Sequence, residues 1–278
     1  MSLETNMNYQ MIAMDLDGTL LNTRSQLSNK SIDTIEKLKN EGKYIIIASG
    51  RTYGEIIRLI EPLNLLDYRK AFLICYNGVL TVKTHPFTVL MKEVLHKEDI
   101  QSIIKAIGPT DIKYHIFAEN KLYLSHDIVL SLAPHQSENT EIIKIDMSRY
   151  DLEDDVYKIL FYAEKRRLEQ FKKDMPALIT EKYGVVRSNE QLLEIFHKEG
   201  SKGHALAFLA KYLHIPAEEV IAFGDEENDI TMIQFAGLGI AMGNAKPDVI
   251  SASKHITLTN EYDGVAVAIE KFIKMEKG

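Results

Sequence analysis

A chain of 278 residues predicts about two domains at roughly 150 residues each, and its 45% hydrophobic and 26% charged residues exclude wholesale disorder. Its 33 basic and 40 acidic residues leave a net charge of −7, which disfavours nucleic acid as a partner because a polyphosphate backbone is repelled at long range. A single cysteine excludes an internal disulfide or a cysteine-based zinc cage. No apolar run approaches the ~18 residues of a membrane span and no secretory segment is present, so a soluble, reducing, cytoplasmic setting is expected.

Residues 1–8 carry no pattern and read as a tail. Met11-Ile12-Ala13-Met14 reads as a buried strand, and 28–40 as a helix with Ile32, Ile35 and Leu38 on one face. Residues 44–48 are a second buried strand, 53–63 a helix carrying Ile56, Ile57, Leu59 and Ile60, and 71–76 a third strand. This β-α-β-α-β order predicts parallel strands joined by right-handed crossovers. Asn77-Gly78 is suited to a tight hairpin turn. Residues 83–187 are more charged, with amphipathic strands expected at 113–117, 141–145 and 156–162. Parallel-sheet character returns with strands at 219–223 and 238–242 and a closing helix at 265–273. The expectation is an α/β fold: a Rossmann-like parallel-sheet core from 1–82 and 190–278, helices on both faces, and an inserted α+β cap domain at 83–189.

Four motifs fall where such a sheet places its ligands, outside the carboxyl ends of its strands. Asp15-Leu16-Asp17-Gly18-Thr19 follows the first strand, and acids two apart on an extended backbone point the same way; the alternative is a solvated Asp-Gly turn. Ala48-Ser49-Gly50-Arg51 offers a hydroxyl and backbone N–H groups to an anionic oxygen, unless Ser49 is only a helix cap. Lys202, in Gly200-Ser201-Lys202-Gly203, opposes the helix dipole at a helix start, which a local anion explains; the alternative is an exposed surface lysine. Gly224-Asp225-Glu226-Glu227-Asn228-Asp229 packs acids at a strand end. A hard divalent cation such as Mg²⁺ relieves their repulsion, with Asp225 and Asp229 the better ligand candidates. The glycine run from Gly237 to Gly243 lacks the third glycine of a dinucleotide fingerprint, and the nine histidines lack metal-site spacing.

Taken in order, these motifs, with Tyr76-Asn77-Gly78, Ala241-Met242-Gly243-Asn244-Ala245 and Asp263-Gly264-Val265-Ala266, resemble the haloacid dehalogenase-like phosphohydrolases, in particular the Cof-type sugar-phosphate phosphatases with a type C2 cap. The resemblance implies that Asp15 is a nucleophile taking the phosphoryl group and Asp17 the general acid and base. It implies that Ser49 and Lys202 hold the phosphoryl charge, with Gly50 and Asn228 near the substrate. Mg²⁺ would be held by Asp15, the backbone carbonyl of Asp17 and Asp225, with Asp229 supporting, and the cap would select a small phosphorylated metabolite. Lys246 stands where many relatives carry an acid. Three other readings use similar residues: a phosphomutase, a phospho-receiver, and a sugar-phosphate binding protein without turnover. The length and Asp17 speak against a receiver, and the complete set of chemical residues against a mere binder.

Overall fold

The computed structural model describes residues 8–119, 121–125, 140–144 and 154–273; all but one residue of the expected tail, and the end of the strand expected at 141–145, lie outside these. The chain opens with β1 (Met11–Met14), α1 (Asn29–Asn40), β2 (Tyr44–Ala48), α2 (Tyr53–Leu59) and β3 (Ala71–Cys75). Ser28 caps α1 by accepting from the Ser31 amide, and Thr52 and Glu55 form a reciprocal capping box on α2. The α2 helix is shorter than the 53–63 expected. Pro62 has no N–H for an α-helical bond, and the chain passes through one tighter turn at Glu61–Leu63 before Asn64 reverses it at φ 48°.

From β3 the chain doubles back through Tyr76–Gly78 into β4 (Leu80–Lys83) and β5 (Thr88–Lys92), both antiparallel to their neighbours. This turn is wider than a two-residue hairpin: Tyr76, Asn77 and Gly78 all take positive φ, at 51°, 61° and 114°. Next come α3 (Lys97–Ile107), β6 (Lys113–Ala118), β7 (Lys121–Leu124), β8 (Glu141–Lys144), β9 (Val156–Tyr162), α4 (Lys165–Lys173), α5 (Ala177–Lys182), β10 (Tyr183–Asn189) and β11 (Leu192–His197). The last stretch holds α6 (Lys202–Tyr212), β12 (Val220–Gly224), α7 (Ile230–Phe235), β13 (Leu238–Ala241), α8 (Pro247–Ala252), β14 (His255–Ile256) and α9 (Gly264–Phe272).

Two sheets result. The larger runs β14-β13-β12-β1-β2-β3-β4-β5, parallel from β14 to β3, and the smaller runs β10-β11-β9-β6-β7-β8. Alternate residues of β1 feed opposite layers: Ile12 and Met14 pack with Ile35 of α1 and Ile269 of α9, while Met11 and Ala13 pack with Leu206 of α6 and Met232 of α7. A strand buried on both faces reads as a continuous apolar run, which is why these strands are legible in the sequence. The smaller sheet is covered on one face by Ile100 and Ile103 of α3, Leu168 of α4 and Ile179 of α5. Its other face, with Phe117, Leu160 and Phe196, joins the core of the larger unit. This is the parallel-sheet α/β fold with an added α+β unit that the sequence predicts. Pairing places Thr88–Lys92 in the larger sheet and Leu192–His197 in the smaller, so the expected boundaries at 83 and 189 fall inside hairpins. Among the described residues no helix is long and apolar enough to cross a membrane.

Candidate active site

The order of the larger sheet reverses at β1, which lies between β12 and β2, and the crevice at such a switch point is where doubly wound sheets bind ligands. Asp15 leaves the end of β1 and Asp225 the end of β12, side by side across it. Thr19 Oγ1 donates to Asp225 Oδ1 at 2.8 Å. Gly18 is required by both conformation and space: its φ is +77°, and a Cβ there would lie 2.3 Å from Asp225 Oδ2.

Lys202, in the first turn of α6, is fully buried. Its Nζ donates to Asp15 Oδ1 and to Asp229 Oδ1, each at 2.6 Å. Ser201 caps the helix by accepting from the His204 amide. The anion expected from a lysine at a helix start is therefore a pair of carboxylates. Asp229 Oδ2 accepts from the amides of Asp225 and Glu226 at 3.0 and 3.1 Å, so both of its oxygens are engaged by the protein. Asp15, Asp225 and Asp229 each offer an oxygen within 4.8 Å of the others.

Burial raises the Asp15 carboxyl well above its usual range, Lys202 opposes that rise, and Asp229, Asp225 and Asp17 add to it. Asp225 is pushed up to about 7, chiefly by burial and by Asp229. Burial works against the charge on Lys202, but Asp15 and Asp229 outweigh it and hold the ammonium above its usual range. Three buried carboxylates thus face one buried ammonium, a surplus of negative charge that fits a small, hard divalent cation.

Asp17 departs from the expectation that two acids spaced by one residue point together. The strand ends at Met14, so the extended backbone stops before Asp17. Its carboxylate turns outward and is gripped by Arg51 through Nε to Oδ2 at 2.6 Å and Nη2 to Oδ1 at 2.7 Å. Arg51 in turn reaches Glu55 at 3.2 Å. The side chain of Asp17 stays outside the carboxylate cluster.

A cavity of about 360 Å³ opens over these groups. Asp15, Asp17, Ser49, Gly50, Asp225 and Asn228 form its floor, and Phe117, Lys158, Leu160, Leu192 and Glu194 of the smaller sheet form its roof. Of the residues expected at the site, Asp15, Asp17, Ser49, Gly50, Asp225 and Asn228 line this cavity, and Lys202 and Asp229 lie with Asp15 in the cluster beneath it. Ser49 is buried at the end of β2, its amide donating to Ile74 O at 2.8 Å, and its hydroxyl accepts from the Arg51 amide at 3.2 Å. Arg51, Asn77, Lys158 and Glu194 escaped functional assignment from the sequence. Arg51 was legible within Ala48-Ser49-Gly50-Arg51; Lys158 and Glu194 carried no signal beyond a charge on an amphipathic strand. Lys246 pairs with Glu226 at 2.5 Å on the rim.

Buried carboxylates and a buried lysine at the switch point of a doubly wound sheet fit a hydrolase of phosphate esters. The family model of the haloacid dehalogenase-like hydrolases matches residues 12–269, and the chain belongs to that family. Bacillus subtilis (strain 168) YxeH is 34% identical over 269 residues, covering 95% of this chain and 98% of its own. The 5-amino-6-(5-phospho-D-ribitylamino)uracil phosphatase YcsE of the same organism is 31% identical, with coverage of 96% and 97%. The crystal structure of TM0651 from Thermotoga maritima superposes with a TM-score of 0.79 at 31% identity, covering 96% of this chain and 98% of that one.

Proposed function

We propose that this phosphatase hydrolyses small phosphorylated metabolites, sugar phosphates in particular, with Mg²⁺ at its acidic cluster and a phosphoryl group passing through Asp15. The observation that carries the reading is Asp15 Oδ1 held 2.6 Å from the Lys202 ammonium at the floor of the cavity. One oxygen of Asp15 attacks phosphorus; the leaving-group oxygen departs with the bonding pair and takes a proton from Asp17. Water then attacks the phosphorus of the aspartyl-phosphate and gives one proton to Asp17; the bond from phosphorus to the Asp15 oxygen breaks, which restores the carboxylate and releases inorganic phosphate. Lys202 offsets charge on the phosphoryl oxygens, and Ser49, with the backbone at Gly50, donates hydrogen bonds to them. Asn228, in the loop after β12, lines the cavity and is placed to face the substrate. Asp15, Asp225 and the backbone carbonyl of Asp17 would hold Mg²⁺, with Asp229 supporting them, and the ion would supply further positive charge toward the phosphoryl oxygens.

The smaller sheet serves as the cap over the leaving group, the chain crossing to it near Glu93 and back near Glu199. A cavity of about 360 Å³ suits a metabolite of sugar-phosphate size. The ribityl phosphate in the name of YcsE supports a polyol leaving group. A reducing cytoplasm suits the buried free thiol of Cys75. The test is a screen of phosphorylated metabolites with and without Mg²⁺, alongside Asp15→Asn. Metal-dependent phosphate release lost in the variant is expected; equal release by the variant would overturn the covalent route.

A further inference from the structure

The roof of the cavity contains two buried charges that the hydrolytic chemistry above leaves without a role. Lys158 of β9 and Glu194 of β11 are 5% and 2% exposed, and they pair at 3.0 Å. Each also reaches down to a loop of the larger sheet. Lys158 Nζ donates to the carbonyl of Gly50 at 2.9 Å, and Glu194 Oε2 accepts from Asn77 Nδ2 at 2.6 Å. Asn77 Oδ1 accepts in turn from Asn228 Nδ2 at 2.8 Å. One continuous polar relay therefore ties the smaller sheet to the loops after β2, β3 and β12.

The tied atoms are not arbitrary. The Gly50 carbonyl sits between Ser49 and Arg51, the partner of Asp17, so moving it moves the phosphoryl-binding hydroxyl and the orienter of the acid together. Asn77 holds a left-handed φ of 61° directly against Gly50, where a Cβ would come within 3.0 Å of its Oδ1. Asn228 shares its short loop with Asp225 and Asp229. Resting on the proposed function, we propose that Lys158 and Glu194 are positioning residues: the seated cap arranges the loops after β2, β3 and β12 through them. They act on the loops rather than on the leaving group, so their effect on turnover is independent of what the phosphate is attached to.

That independence is the test. Lys158→Met, assayed with Mg²⁺ on p-nitrophenyl phosphate and on a hexose phosphate, is expected to lose about 10- to 100-fold in kcat by a similar factor on both substrates. KM is expected to change by less than about threefold. The variant Lys158→Met/Glu194→Gln, which buries no lone charge, is expected to show the same loss and guards against misfolding of the single change. A loss confined to the hexose phosphate would make the pair a leaving-group contact and overturn the inference, as would an unchanged kcat on both. Backbone hydrogen exchange at 49–52 and 76–79 reads the same coupling without turnover. Faster exchange in both variants is expected, and unchanged exchange overturns the inference even if the wild-type protein releases no phosphate. Wild-type release that depends on Asp15 tests the functional reading separately.

Discussion

Asp15 and Asp17 stand two positions apart and yet meet opposite environments, the first buried against Lys202 and the second outside, in the bidentate grip of Arg51. In the proposed mechanism the covalent step falls to the carboxylate held against Lys202 and proton transfer to the one gripped by Arg51. Asp17→Ala is expected to slow hydrolysis of sugar phosphates, whose alkoxide needs a proton, about 10²- to 10⁴-fold, and of aryl phosphates much less; equal losses measured on the two would count against a general acid. A side chain at Gly18 would collide with the Asp225 carboxylate. Gly18→Ala is expected to cost about 1–2 kcal/mol from its left-handed backbone alone, and to displace Asp225, so Mg²⁺ affinity should fall with stability. Titration calorimetry beside thermal melting would show both.

Among the elements, α6 shows how a helix start is made into a site. A lysine in the first turn is unfavourable toward the helix dipole, and here two carboxylates from the ends of β1 and β12 outweigh it. Its buried residues, Lys202, Gly203, Ala205, Leu206, Leu209 and Ala210, recur at helical spacing on one face, with the lysine at the site end of that face. In α1 the cap has a second duty: Ser28 Oγ donates to Asp263 Oδ1 at 2.5 Å, tying the helix to the start of α9. Ser28→Ala is expected to destabilise the fold by about 1 kcal/mol, lowering Tm by about 2–4 °C while kcat stays unchanged. A loss of activity at full stability would show that this helix reaches the site in some way beyond support.

For the whole molecule, the decisive fact is that neither sheet alone makes the cavity: its floor comes from the larger sheet and its roof from the smaller. Burying the Lys158–Glu194 pair is costly, and removing one partner of such a pair costs about 3–5 kcal/mol, which is why the neutral double variant matters. The carboxylate surplus beneath the cavity makes a second prediction at this scale. Saturating Mg²⁺ is expected to raise Tm by several degrees, about 2.7 kcal/mol at a hundredfold excess over Kd. Asp225→Asn should abolish that shift, and a wild-type Tm indifferent to Mg²⁺ and to chelator would contradict the metal site.

The parallel strands, the helix faces and the four acidic, hydroxyl and lysine motifs were legible because buried parallel strands write continuous apolar runs, and because ligands gather at their carboxyl ends. The sequence by itself determined the class of fold and most of the cavity floor: Asp15, Ser49, Lys202, Asp225 and Asp229 each sit within a few residues of a readable strand or helix start. Only the tertiary structure decided that Asp17 faces Arg51, that Asp229 spends both oxygens on the protein, and that Lys158 and Glu194 are inside rather than on a solvated face. The physical reason is common to all three. A charge on a strand reads as exposed until another layer covers it, and what covers β9 and β11 lies more than a hundred residues away in the chain, at Asn77 and Gly50.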